Sequence, residues 1–291
     1  MRRNTTLGIT AMLATKLLRE PKLYLVIAML VAILDEYTGG ARHILLQYHF
    51  GVNAWGSFAC LTSYSYLMLW VVAGFLILIS DVPFSSENTL FECVRTTRIQ
   101  SIVGRIWYIL LVSVLYTLMV FLLVSIVQFA SPLHPDRWDK ALYTMSRGQT
   151  IDGVFLRIPS GIVAACSPFG AWAAASALLI AVLFMLGLMM FSLSLFINKR
   201  FAICITGLWA ALDFAVVYMM LDPSLFYGSP MSWARLELLA TAGYYTQQPS
   251  VQYCLLMLLA FSGLWITASC LFAKNQKWFD REMIGEGEQG S

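Results

Sequence analysis

Asp213, in the run Trp209-Ala-Ala-Leu-Asp213-Phe214, is a carboxylate with apolar residues on both sides. Within a bilayer such a group costs about 3 kcal/mol on insertion scales, so it must face a polar interior. There it can line a route for a solute or carry a proton. It can equally pack between helices as a protonated or hydrogen-bonded group, and no basic residue within a span offers itself as a partner. Asp35 and Glu36 follow a short apolar run, Leu23 to Leu34. They lie either at the outer water interface or deeper, facing a cavity. His43, His49 and His134 are too few and too scattered for a metal site. Cys60, Cys93, Cys166, Cys204, Cys254 and Cys270 show no CxxC spacing and read as small apolar residues. The chain has no GxxxxGK[ST], HExxH or GxSxG motif, so neither ATP hydrolysis nor metalloprotease or lipase chemistry is expected of it.

A second group of residues lies in Ser80 to Arg105, SDVPFSSENTLFECVRTTRIQSIVGR. Pro83 ends an apolar run, Ser85 or Ser86 can cap a new helix, and Glu87 falls in its first turn, where the helix dipole favours an anion. Leu90, Phe91 and Val94 then form a short apolar face, followed by Arg95 and Arg98. Such a projecting helix fits a groove of another protein, and a solvated, arginine-bearing loop explains the same residues equally well.

The elements that must position these groups are set by hydropathy. With 59% hydrophobic and only 12% charged residues in 291, and a mean hydropathy of +0.72, the chain lies far from soluble domains, where roughly a quarter of residues are charged. Charge-free gaps longer than the roughly 20 residues of a spanning helix recur along it. The expected fold is an all-α polytopic membrane protein with six transmembrane helices, at about 22–38, 57–80, 104–129, 171–197, 201–221 and 250–273. The apolar runs are continuous rather than alternating, which argues for helices against a barrel. Asn198, Lys199 and Arg200 leave room for only a very short turn between the fourth and fifth spans. Dense small residues from Ala171 to Ala177 permit close helix approach, for dimerisation or internal packing.

Thirteen of the nineteen Lys and Arg residues fall on the side that holds both termini, so both termini are expected in the cytoplasm. The chain then divides into a cytoplasmic interfacial helix at 1–21, a six-helix transmembrane domain at 22–273 and a cytoplasmic tail at 274–291. Leu7, Ala11, Ala14 and Leu18, widened by Leu13 and Leu17, form the apolar stripe of the first segment, opposite Lys16 and Arg19, and Pro21 separates it from the first span. Lys16, Arg19 and Glu20 break the apolar run too early for a cleavable signal. The outer stretch Ser131 to Gly170 is long, and the sequence assigns it no role.

The order of surface helix, first span, second span ending in Asp81-Val-Pro-Phe, Ser-rich turn, arginine-bearing segment through Ile102-Val-Gly-Arg105-Ile and third span resembles the permease subunits of type-2 ATP-binding-cassette exporters. The likeness covers the whole order of segments. It implies that Glu87, Leu90, Phe91, Val94, Arg95 and Arg98 belong to a coupling helix that meets cytoplasmic ATPase subunits. Gly104 and Arg105 would begin the third span, and a second permease subunit would complete a dimer. Trp233 to Ala242 looks like the short re-entrant element that closes the outer mouth in that family, with Trp233, Leu236 and Tyr244 as gate residues. An aromatic belt at the interface accounts for the same residues nearly as well.

By this resemblance the chain is a non-enzymatic permease in a bacterial plasma membrane, with no cofactor of its own and with ATP and magnesium on the partner ATPase. Asp35, Glu36 and Asp213 are the candidates for the translocation pathway. Fourteen methionines and forty aromatic residues suit hydrophobic or amphipathic cargo, a peptide, antimicrobial toxin or drug, and suit plain lipid contact as well. Nucleic acid is not an expected partner. The rival readings are an ion-coupled secondary transporter, which would use Asp213 directly, and a non-transporting scaffold or immunity protein, which needs no projecting helix.

Overall fold

The computed structural model describes residues 5–48, 53–81, 98–127, 136–147, 160–236 and 249–274. The first two helices are α1 (Thr5–Arg19) and α2 (Pro21–Tyr48), with Glu20 alone outside a helix between them. Pro21 explains the break. Its ring disfavours helical backbone at Glu20, while its own fixed φ and missing N–H suit the first position of a new helix. On α1, Thr10 and Leu13 are buried and Leu17 is half-buried, while Ala11 and Leu18 are exposed. The packed face therefore runs along the side of the expected stripe that Leu13 and Leu17 widen, while Ala11 and Leu18 of that stripe stand exposed. It is fixed by the bond from the Thr10 hydroxyl to the Gly104 carbonyl at 3.1 Å.

The expected second span, 57–80, is two helices. These are α3 (Ala54–Leu61) and α4 (Ser65–Ile79), bent by 89° at the break. The Thr62 hydroxyl bonds to the Ala59 carbonyl at 2.8 Å and the Ser63 hydroxyl to the same oxygen at 3.3 Å. Two side chains thus satisfy the last turn of α3, and Tyr64 turns to extended backbone (φ −97, ψ 114). Hydropathy does not register this break, because none of the residues at it is Gly, Pro or charged.

Beyond the undescribed stretch come α5 (Arg98–Val127), the short α6 (Lys140–Ser146) and α7 (Ser160–Ala165), then α8 (Pro168–Phe196). Ser167 caps α8 by accepting the Gly170 N–H at 3.2 Å, and Pro168 occupies its first turn. Only Ile197 and Asn198 separate α8 from α9 (Lys199–Ala210), which continues after Ala211 as α10 (Leu212–Tyr218). Two 3-10 turns, Pro223–Gly228 and Ser232–Ala234, precede α11 (Val251–Lys274).

Four helices among the described residues are long and apolar enough to cross a membrane: Ile99–Val127, Pro168–Phe196, Lys199–Tyr218 and Val251–Phe272. The bent pair α3 and α4 makes a fifth if it is counted as one span. The described part of α2 is not in this set, and it carries Lys22, Asp35 and Glu36. Helix α8 is central, with most of its residues buried, and packs against α3, α5, α9 and α11. Its contact with α5 needs Gly187, where a Cβ would lie 2.6 Å from Ile109 Cγ2. The long stretch from Ser131 to Gly170 contributes structurally. The Asp139 carboxylate accepts the Asn53 backbone N–H at the start of α3, and Trp138 Nε1 donates to the Cys166 carbonyl at 2.8 Å.

Candidate functional site

Helix α4 ends in charge on both sides. At its N-terminus the Ser65 hydroxyl donates to Asp213 Oδ2 at 2.5 Å. Arg235 Nη1 donates to Ser65 Oγ at 2.7 Å and lies 3.3 Å from both Asp213 oxygens. Asp213 is fully buried and Arg235 nearly so. Asp213 lies in the first turn of α10, where the helix dipole favours a carboxylate. The carboxylate, hydroxyl and guanidinium each have a partner of the right polarity, the condition under which a buried pair is tolerated.

Just beyond its C-terminus, Asp81 accepts from Lys22 at the start of α2 and from Lys199 at the start of α9, the latter at 2.9 Å. Burial alone would raise the Asp81 pKa, but the hydrogen bonds and charges of Lys22 and Lys199 outweigh it and hold the carboxyl below its ordinary value. Helices α4 and α9–α10 run antiparallel and are joined at both ends, Asp81 to Lys199 and Ser65 to Asp213. The rise from Ser65 to Asp81 is about 24 Å and from Lys199 to Asp213 about 21 Å, so the two rails match in length. Both are shorter than a hydrocarbon core of about 30 Å.

The chain after α10 folds back onto this end of the bundle. Asp222 accepts the Ser224 N–H at 2.9 Å and starts the first 3-10 turn; that bond holds its carboxyl below the usual range. Trp233 is fully buried and packs on Trp209 and Phe261 at ring separations of 6.3 and 6.1 Å. The Tyr227 carbonyl accepts from Trp233 Nε1 at 3.2 Å and from the Tyr253 hydroxyl at 3.0 Å, and the Gly228 carbonyl from Trp209 Nε1 at 2.8 Å. Residues 223–236 thus form a cap stitched to α4, α9, α10 and α11.

Of the residues singled out from sequence, Asp213 and Trp233 occupy adjoining parts of one buried assembly, with Leu236 half-buried beside it. Asp35 and Glu36 are exposed on α2 and do not join it. Glu87, Leu90, Phe91, Val94, Arg95 and Tyr244 lie outside the described residues, and Arg98 opens α5. The partner that Asp213 lacked in the sequence is Arg235. A lone arginine in the apolar, Trp-bearing run Met231-Ser-Trp-Ala-Arg235-Leu was a signal of burial. Ser65 carried no signal of its own.

The class these helices define is a multi-pass, all-helical membrane protein. No protein-family model matches the chain, and no curated protein matches it.

Proposed function

We propose that this protein is the permease subunit of a type-2 ATP-binding-cassette exporter, with six spans, both termini in the cytoplasm and a second permease subunit completing the pathway. The observation that carries this reading is the cap of residues 223–236. The segment between the fifth and sixth spans returns into the bundle and buries Trp233 and Arg235, as an element closing an outer mouth must do. At the other end, α1 lies against the start of α5 through the Thr10 to Gly104 bond. That contact sets α1 against the residues at which the third span would begin. Asp35 and Glu36, exposed partway along α2, suit a face turned to water or to the second subunit, since lipid excludes carboxylates at that depth. The cargo is a hydrophobic or amphipathic peptide, toxin or drug, and ATP and magnesium are held by the partner.

The test is copurification with an ATP-binding-cassette ATPase. Replacing Leu90 and Phe91 together with Asp sets charge against an apolar groove, so the variant should insert normally yet neither copurify nor stimulate ATP turnover. Undiminished binding and stimulation would remove the exporter reading. The broken α3–α4 pair next to a buried Asp–Arg pair favours one rival, an ion-coupled secondary transporter. Uptake into proteoliposomes driven by an ion gradient without any ATPase would decide for it.

A further inference from the structure

Asp81 draws together two parts of the chain that are remote in sequence. Lys22 belongs to the corner between α1 and α2, and Lys199 to the turn between α8 and α9, yet both ammonium groups bond to this one carboxylate. Arg19 precedes the first lysine by one helical turn, and Arg200 follows the second directly. With both Asp81 oxygens occupied by lysines, the side chains of Arg19 and Arg200 form no hydrogen bond or ion pair among the described residues. Arg19, Lys22, Lys199 and Arg200 with Glu20 and Asp81, the charged residues of these adjoining segments, sum to a net charge of +2. Apolar side chains stand exposed beside them: Leu18 at 63%, Ile197 at 59% and Phe201 at 61%.

We propose that this composite corner is a headgroup site for an anionic phospholipid, with Arg19 and Arg200 on the phosphate and Leu18, Ile197 and Phe201 among the acyl chains. The chemistry is complementary at both ends. Guanidinium groups bind phosphate oxygens bidentately, and lysines already committed to Asp81 set the local field without being consumed. Water exposes the three apolar residues at no gain, whereas the acyl boundary buries them next to the charges, as on amphipathic membrane-surface helices. The site rests on the membrane reading alone and holds whether the protein is an exporter, a secondary transporter or a scaffold.

The full-length protein in neutral detergent is titrated with phosphatidylglycerol and, separately, phosphatidylcholine, and bound lipid is counted by native mass spectrometry. Phosphatidylglycerol should be retained at least about tenfold more tightly, and less so as salt rises. Arg19→Gln with Arg200→Gln should weaken it about thirty-fold, since each basic residue near an anionic surface contributes roughly a fivefold step. Arg19→Lys with Arg200→Lys serves as the folding control and should retain most of the preference. An unchanged phosphatidylglycerol preference in the glutamine double variant overturns the site. Competition by inorganic phosphate as effective as the lipid also overturns it, in favour of a soluble anion.

Discussion

Lys199 and Asp213, the first at the start of α9 and the second in α10, grip opposite ends of α4 through Asp81 and Ser65. One apolar hairpin-like pair of rails is thereby closed at both ends by polar contacts, and Arg235 fastens the cap of residues 223–236 to the Ser65 end. This frame orders the predictions, because each tie can be cut separately.

Cutting the buried tie should be severe. Asp213→Ala removes the carboxylate that faces the buried Arg235 charge and should destabilise the protein by about 3–5 kcal/mol in reversible unfolding from mixed micelles. Asp213→Ala with Arg235→Ala should lose less than the sum of the two single changes. Additive losses would mean that the two side chains do not interact as a pair.

Asp81 lies nearer the surface and its effect should appear in the pH profile. Its folded pKa is below its ordinary value of 3.8, so the stability it contributes is complete above that value and is lost as the pH falls through the lower, folded pKa. Thermal unfolding followed from pH 6 downward should show an acid-side loss in the parent protein. Asp81→Asn should be less stable near neutrality and flatter over that acid range.

Gly74 tests the packing of α4. A Cβ there would stand 2.6 Å from the Tyr116 hydroxyl, which donates to the Val71 carbonyl at 2.6 Å. Gly74→Val should displace that ring, break the bond and cost about 1–3 kcal/mol. Pairing it with Tyr116→Phe, which removes the hydroxyl, should recover part of the loss.

Orientation is open to direct labelling. A cysteine at Ser86 or in the tail after Lys274 should resist a membrane-impermeant maleimide in intact cells, and one at the exposed Asp136 should react. Labelling of Ser86→Cys from outside would invert the topology and remove the segment around it from any cytoplasmic partner.

The use of the cap should register in transport. Under the exporter reading, Asp213→Asn should lower export while leaving assembly with the ATPase intact. Wild-type transport by Asp213→Ala would confine the residue to packing.

Hydropathy alone determined that this chain is helical and built for a membrane, and it located the long helices α5, α8 and α11 to within a few residues. That is so because a spanning helix must satisfy its backbone internally and present apolar side chains along its whole length, a local property. Asn198 between two apolar runs likewise announced the tight α8–α9 turn. The 89° break between α3 and α4 was not legible, because Thr62 and Ser63 end a helix through side-chain bonds that hydropathy does not register. Nor was the partnership of Asp213 with Arg235 and Ser65, or of Asp81 with Lys22 and Lys199. Each joins groups far apart in the chain, and an isolated charge in an apolar run states only that a partner must exist. Which residue supplies it depends on how α4 packs against α9 and α10, and the tertiary structure alone decided that.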